Sequence, residues 1–259
     1  MSLRYAVVAA ALCLTPAVLA PAASAQTATS EHLALGDSAY TATQSADALK
    51  HYEAALAADS TNYEALWKAS RSAIDLGEAA TDAKQRNAYY RQGTQFARRA
   101  VAANPNDAEG HFHLARSLGR TALSLGARDR VKYAKEVRAH ALEALKYDPQ
   151  HAGALHVMGV WNAEVMRLNG VSRFMAKNFL GGKVFDTASW KDAARYMEQA
   201  VAVEPNRLIH RVDLAEIYRD MGDKAKARAE AEFVVKAPAT EPNDPKYKSQ
   251  AQQLLASLK

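Results

Sequence analysis

Apolar and small residues recur along this chain at helical spacing, and short turns rich in Asn, Asp and Pro interrupt them. Four segments share the order of a helix end, a turn and a new helix: YEAALAADSTNYEAL, ARRAVAANPNDAEGHFHLA, ALEALKYDPQHAGALHVMG and MEQAVAVEPNRLIHRVDLA. When they are aligned on the turn, an alanine stands five residues before it in each: Ala55, Ala100, Ala144 and Ala200. A small residue there lets two helices approach closely. The pattern therefore predicts repeated helical hairpins.

Such hairpins are typical of tetratricopeptide repeats, units of about 34 residues that stack because no single unit can bury its apolar face alone. The sequence predicts an all-α, tetratricopeptide-like right-handed superhelix of about five helical hairpins. A polar capping helix is expected near residues 246–257, after the proline-containing break at 238–245.

Three of the repeats are longer than this pattern requires. The distance from the Gly-like position of the first helix to the small residue of the second is 12 residues in the first and fifth repeats. It is 23, 22 and 34 residues in the second, third and fourth repeats. The extra residues predict insertions near 76–88, 121–133 and 167–189. All three fall at the same end of their hairpins, so we expect them to pack together along one edge.

Basic residues concentrate at this edge: Lys84, Arg86, Arg91, Arg128, Arg130, Lys132, Lys135, Arg167, Arg173, Lys177 and Lys183. Stacked hairpins would bring them to one side, where they suit an anionic lipid, a membrane surface or an acidic protein segment. Ordinary solvated helix faces explain the same charges equally well.

The fourth insertion contains apolar residues near helical spacing with basic residues between them, which predicts a short amphipathic helix. Its apolar side is expected either to pack on the lengthened helices of the third repeat or to form a lid over an apolar cleft. Candidate residues for an apolar-ligand site or lid are Trp161, Arg173, Phe174, Lys177, Phe179 and Phe185.

The first 25 residues have the pattern of a secretory signal peptide. A basic residue, Arg4, precedes an apolar run, and small residues end at Ala25. The run is short for a membrane span of about 20 residues and contains a proline. Cleavage would remove Cys13, the one cysteine of the chain. We therefore expect a signal peptide at 1–25, a single helical domain at 26–259, and a cysteine-free mature protein that is periplasmic or secreted.

Motifs for catalysis, metal binding or cofactor binding are not apparent in the sequence. The chain has eight histidines, but His111 and His113 lie two apart on a helix and so point about 200° apart. The acidic residues form no paired constellation for acid-base catalysis. The sequence predicts a protein without enzymatic activity, metal or cofactor, and its predicted export argues against a nucleic-acid partner.

A candidate partner-binding site lies on the first helices of the second and third repeats. Trp67 and Arg71 are four residues apart, and Phe112 and Arg116 occupy the equivalent positions one repeat later, with Arg120 one turn further on. Residues four apart share a helix face. Aromatic and guanidinium groups on the concave side would hold an extended acidic segment by stacking and bidentate hydrogen bonds. The alternative is that the rings pack between hairpins and the arginines pair with Glu64 and Glu109.

Three segments carry a resemblance to a known family: AGALHVMGVWNAEV, SRFMAKNFLGG and SWKDAARYMEQAVAVEPN. They are similar to the tetratricopeptide domain of the regulator of microtubule dynamics family, which has an LHLLGRW helix, a basic and hydrophobic insert, and an EEAL helix leading to DPN. The matching positions are Gly159, Trp161, Val165, Arg173, Ala176, Gly181, Ala193 and Pro205, within a region from about 108 to 235. The resemblance implies a helical interaction domain without catalytic residues, which binds partner proteins or lipids.

Two functions remain open at this point. In the first, the protein is an interaction scaffold of the cell envelope or periplasm that binds an acidic or extended segment on its concave face. In the second, it binds a lipid or another apolar ligand with the inserted segment at 170–187. A role on tubulin does not fit a chain that leaves the cytoplasm.

Overall fold

The computed structural model describes residues 20–168 and 182–258. Within these two ranges the chain forms eleven α-helices and one 3-10 helix, with no strand. The α-helices are α1 Ala20–Thr41, α2 Ser45–Ala58, α3 Tyr63–Ala79, α4 Ala83–Ala103, α5 Ala108–Leu123, α6 Ala127–Tyr147, α7 Ala152–Arg167, α8 Trp190–Val203, α9 Leu208–Asp220, α10 Lys224–Lys236 and α11 Asp244–Ser257, and the 3-10 helix is Gly182–Thr187. The prediction of an all-α fold is confirmed.

The helices pack as five consecutive hairpins, α1 with α2, α3 with α4, α5 with α6, α7 with α8 and α9 with α10, followed by α11. The first helices of successive hairpins also contact one another: α3 touches α5, α5 touches α7, and α7 touches α9. This arrangement places the first helices on the concave side of a tetratricopeptide-like superhelix, as the sequence predicts.

Several turns contain a residue whose side chain caps the helix that follows. The side chain of Asn62 accepts a hydrogen bond from the backbone N–H of Ala65 at 2.9 Å, and Ser189 accepts one from Asp192 at 3.0 Å. Each bond satisfies a backbone donor that the first turn of a helix leaves unpaired, which stabilises the helix by about 1 kcal/mol. Turn residues such as Asn62 and Ser189 therefore help to set where the helices α3 and α8 begin.

Small residues mark the closest helix contacts. All four alanines that align five residues before the turns, Ala55, Ala100, Ala144 and Ala200, have no exposed surface. Gly36 lies against the ring of Tyr52, and a Cβ atom at this glycine would come within 2.5 Å of the ring. The regular spacing of small residues thus records where helices touch.

The hairpins differ in length along the stack. Helices α4 and α6 have 21 residues each, whereas α2 has 14 and α10 has 13. Most of the fourth insertion, including the predicted amphipathic helix, lies outside the described residues.

The N-terminal helix α1 begins at Ala20 and runs through the position where signal cleavage is predicted, after Ala25. Across the described residues, no helix combines the length and the apolar character needed to cross a membrane.

Candidate binding site on the concave side

A cavity of about 540 Å³ lies on the concave side of the superhelix. Its wall is formed by residues of α1, α3, α5, α6, α7 and α9, by Phe185 of the 3-10 helix, by residues 240–243 between α10 and α11, and by Tyr247 of α11. This volume is in the range of pockets that bind small ligands or a few side chains of a peptide. The stacked first helices therefore enclose a space large enough to function as a binding site.

One end of the cavity is occupied by an ionic cluster centred on Glu78 of α3. The Arg116 guanidinium donates to Glu78 Oε1 at 2.9 Å and to Asp75 Oδ1 at 2.6 Å, and Arg120 Nε donates to Glu78 Oε1 at 2.8 Å. Both arginines belong to α5, so the cluster ties the second hairpin to the third. Burial raises the pKa of the Glu78 carboxyl, but Arg120 and Arg116 outweigh this effect and lower the pKa to about 2.

The C-terminal helix also reaches Glu78. The Tyr247 hydroxyl donates to Glu78 Oε2 at 3.3 Å, and Lys246 Nζ donates to the Glu78 backbone carbonyl at 3.4 Å. These contacts join the last helix of the superhelix to its second hairpin. The C-terminal end of the described domain therefore meets the second hairpin across the cavity.

Every arginine that lines the cavity is paired with a carboxylate. The pairs are Arg116 with Asp75, Arg120 with Glu78, Arg130 with Glu164, Arg167 with Asp220, and Arg207 with Glu241. A partner carboxylate that approached any of them would have to compete with a neighbour already in place. Arg116 and Arg120, two of the predicted partner-binding residues, are thus structural members of the ionic cluster.

Arg71 differs from these arginines. Among the described residues it has no carboxylate within ion-pair distance. Its guanidinium lies 3.5 Å from the ring centroid of Tyr40 and 5.2 Å from that of Trp67, and Arg71 Nη2 donates to the Tyr52 hydroxyl at 3.4 Å. The Nε atom is buried without a hydrogen-bond partner in the structure. Arg71 therefore lies in an aromatic clamp without a direct ion pair, and its nearest carboxylates, Asp37 and Asp75, bond the hydroxyls of Tyr52 and Tyr40. Tyr40 lines the cavity, whereas Arg71 lies behind it and is not part of the cavity wall.

The two aromatic residues of the predicted rungs pack between hairpins. Trp67 stacks on His113 of the next hairpin, with ring centroids 5.4 Å apart and planes 7° from parallel. Phe112 lies 4.5 Å from the ring centroid of His151 and against Gly153. The alternative pairing of the rung arginines with Glu64 and Glu109 is not found among the described contacts. Glu64 bonds Lys68, and Glu109 contacts His113 and His151.

A second part of the cavity wall is formed by two aromatic rings. Trp161 and Phe185 both line it, are each 5% exposed, and stack with ring centroids 6.2 Å apart and planes 14° from parallel. The indole Nε1 of Trp161 donates to the Ala134 carbonyl at 2.7 Å, which fixes the ring on α6. The structure thus brings together two of the predicted apolar-ligand residues. The other four, Arg173, Phe174, Lys177 and Phe179, lie outside the described residues.

Histidines form close pairs at several helix junctions. His111 Nδ1 lies 2.9 Å from His140 Nδ1, and His111 Nε2 lies 2.9 Å from the Pro105 carbonyl. Because a carbonyl only accepts, His111 Nε2 carries the hydrogen, and its Nδ1 accepts from His140. His210 and His156 make the same 2.9 Å contact.

These histidines do not assemble into a metal centre. Within the described parts of the chain, no group of three or more His, Cys, Asp or Glu side chains is placed to hold a metal ion.

Comparison with known proteins agrees with this architecture. The model of the family described as Regulator of microtubule dynamics protein 1-3 matches residues 32–259. The chain belongs to this family.

Curated members of the regulator of microtubule dynamics family show moderate similarity to the chain. Regulator of microtubule dynamics protein 1 of Mus musculus is 24% identical over 205 residues, covering 77% of this chain and 66% of the mouse protein. Regulator of microtubule dynamics protein 3 of Xenopus laevis is 26% identical over 165 residues, covering 63% of this chain and 35% of the frog protein. The matches span less than two thirds of these relatives' own length.

Among solved structures, the thermophilic TPR protein TTC0263 of Thermus thermophilus has a similar fold. Its TM-score is 0.63 at 21% identity, and the match covers 88% of this chain and 99% of that protein. This similarity supports the tetratricopeptide-like fold of this family member.

Several residues of the site were not identified from the sequence. No sequence motif includes Asp75, Glu78 or Tyr40. Each of them contacts an arginine more than thirty positions away in the chain. The predicted insertion near 76–88 includes Glu78, and no other prediction from the sequence concerned these three residues. The repeat pattern identifies the helix faces that meet, but it does not identify which charges pair across them.

Proposed function

We propose that this family member is a non-enzymatic interaction scaffold that binds an extended segment of a partner protein on its concave side. The tetratricopeptide-like fold supports this proposal because such folds present a concave surface built from stacked first helices. The predicted signal peptide supports a place in the cell envelope or periplasm. The mass of the exported protein, with or without residues 1–25, tests that location.

The observation that carries the proposal is the guanidinium of Arg71, which has no direct ion pair among the described residues and stacks on Tyr40 of the cavity wall. The stacked Tyr40 ring holds this guanidinium in place, so little side-chain entropy is lost when an anion binds. A carboxylate of the partner would bind Arg71 without displacing a carboxylate that is directly ion-paired with it. The rest of the segment would extend into the cavity, where its apolar side chains reach the Trp161 and Phe185 wall.

Charge reversal at Arg71 tests this site. The variant Arg71→Glu is expected to lose capture of the partner, at least tenfold, because it sets a carboxylate against the incoming one. The measurement is affinity capture by the purified chain from an envelope extract, with quantitative mass spectrometry of the captured proteins. Arg91→Glu is the matched control, since Arg91 is exposed on α4 and the charge change is identical.

A protein that both variants lose, or that neither loses, is not held at Arg71. If no protein is captured in an Arg71-dependent way while both variants keep the helical content of the parent, the proposal fails.

A second candidate function rests on the part of the cavity wall formed by Trp161 and Phe185. The stacked Trp161 and Phe185 rings form a wall suited to an acyl chain or another apolar ligand. The predicted insert residues Arg173, Phe174, Lys177 and Phe179 would extend this site, with anionic lipid or a membrane surface as the partner. A bound lipid should survive purification, so an organic extract of the purified chain that contains no lipid by mass spectrometry counts against this function.

A further inference from the structure

The segment between α10 and α11, residues 237–243, forms part of the cavity wall, and we call it the C-terminal strap. Residues 240–243 all line the cavity. The strap is held in a fixed shape by Asp244, which is 1% exposed and accepts hydrogen bonds from the backbone N–H groups of Thr240 at 2.7 Å and Glu241 at 2.8 Å. The strap is therefore an ordered element rather than a loose connection.

Among the described residues, the strap and the start of α11 donate three hydrogen bonds to Glu78 of the opposite wall. Asn243 Nδ2 donates to Glu78 Oε2 at 3.5 Å, the Tyr247 hydroxyl donates to the same oxygen at 3.3 Å, and Lys246 Nζ donates to the Glu78 carbonyl at 3.4 Å. Arg207, just before α9, holds the strap from its own side through an ion pair with Glu241 at 3.2 Å. The strap thus joins the C-terminal hairpin to the second hairpin.

The described contacts of this junction are polar, whereas the hairpins on either side have apolar cores. Tyr247 belongs to a core cluster with Ala251 and Leu254 and with residues of α8, α9 and α10. The hydrophobic neighbours of Glu78 on α3, such as Leu76, belong to a separate cluster with α2 and α4. Opening the junction would exchange a few hydrogen bonds for bonds to water, at modest net cost, and would leave both core clusters intact.

We propose that the C-terminal strap and Tyr247 form a polar latch that closes the superhelix over the concave cavity and opens to admit a ligand. This proposal rests on the proposed function only for the identity of the ligand that enters the cavity. When the latch opens, the C-terminal hairpin moves away from α3 while α11 stays packed on α10. On the α3 side of the junction, Arg116 and Arg120 hold the Glu78 side chain in place through ion pairs. The strap and Tyr247 therefore bind a fixed acceptor when the latch closes.

The test uses the full chain with paired spin labels across the junction. Ala79→Cys and Ser249→Cys place labels at exposed positions on α3 and α11, and Cys13→Ala removes the remaining thiol. The latch variant carries Asn243→Ala and Tyr247→Phe, which delete two donors to Glu78 and keep the buried ring. The control is Tyr218→Phe, which deletes a hydroxyl that donates to Glu198 at 2.6 Å within the C-terminal half.

In the latch variant we expect a second, longer distance between the labels, with an open population at least tenfold larger than in the parent, and no change in the control. An unchanged distance distribution in the latch variant overturns the proposal. Equal broadening in the latch variant and the control also overturns it, because the halves would then loosen without any specific role of the junction. The distances are measured without a partner, so loss of partner capture at Arg71 bears only on the proposed function.

Discussion

Replacing Glu78 by alanine is expected to lower the free energy of unfolding by about 3–5 kcal/mol, the usual cost of removing one partner from a buried ion pair. The side chain of Glu78 is 4% exposed, and Arg116 and Arg120 both direct guanidinium groups at the same carboxylate oxygen. Without the carboxylate, Arg120 would lose its counter-ion, and Arg116 would keep only Asp75. Two poorly hydrated positive charges would then lie side by side.

The measurement is urea unfolding of Glu78→Ala and of Glu232→Ala, followed by circular dichroism. Glu232→Ala makes the same substitution on a helix surface, where the pair of Glu232 with Lys236 at 3.7 Å is exposed on both sides. Exposed pairs of this type contribute little, so the control should unfold close to the parent. Equal effects in the two variants would show that the Glu78 cluster does not stabilise the fold.

A double-mutant cycle measures the coupling energy between Glu78 and Arg116. Combining Glu78→Ala with Arg116→Met should cost less than the sum of the two single changes, since both changes remove the same Glu78–Arg116 ion pair and the double variant loses it only once, while Arg120 stays without its counter-ion. Additive costs would mean that Arg116 relies mainly on Asp75.

The fold was predictable from the sequence because its signals are local. Turn residues such as Asn62 and Ser189 cap the helix that follows them, and alanines such as Ala100 recur at a fixed distance before each turn. Each signal involves residues only a few positions apart, and the repeats multiply it. The regulator of microtubule dynamics resemblance rested partly on Trp161 and Val165, which belong to one core cluster, and on Ala193, which belongs to another.

The charge pairing of the site could not be predicted in the same way. Arg116 bonds Asp75 and Glu78 of the preceding hairpin rather than the nearby Glu109, and Glu109 instead contacts His113 and His151. These choices depend on helix rotation and on how far one hairpin is offset from the next, which a repeat pattern does not specify. The contact of Tyr247 with Glu78 spans 169 positions and depends on the curvature of the entire stack.

The consequence for function is that the number of arginines on the concave side overstates its positive charge. The lining arginines form ion pairs that join one hairpin to the next and hold the strap. Arg71 is different because its neighbours are the rings of Tyr40 and Trp67. A partner that binds here would be recognised by one charge and by shape, more than by a broad electrostatic field.

Acidification is expected to destabilise the fold, first through buried histidines and then through paired carboxylates. Burial lowers the pKa of His113 to about 4, although Glu109 opposes the shift, and burial lowers the pKa of His210 to about 4 against Glu204. The ordinary pKa of histidine is about 6.5. Between about pH 6.5 and 4 the unfolded chain therefore binds protons that the native chain does not, so stability falls as pH falls through this window.

Carboxylates extend the loss to lower pH. The hydrogen bond from His210 and the nearby Arg207 lower the pKa of Glu204 to about 2 against the effect of burial, and the pKa of Glu78 is also about 2. Because their unfolded pKa is near 4.5, their stabilising contribution is complete above that value and is lost as pH falls towards 2. In the window between about pH 6.5 and 4, each buried histidine lowers the free energy of unfolding by up to roughly 3 kcal/mol, since one pKa unit corresponds to about 1.4 kcal/mol.

Urea unfolding at pH 7.5 and at pH 4.5 measures the first step. His113→Gln should reduce the difference between the two pH values, because the variant has one buried imidazole fewer to keep neutral. Leu118→Ala, at a buried and uncharged position of the same helix, should lower stability at both pH values by the same amount and leave the difference unchanged. A parent protein that is equally stable at pH 7.5 and 4.5 would contradict the assignment of neutral, buried histidines, and an unchanged difference in His113→Gln would exclude His113 as one of them.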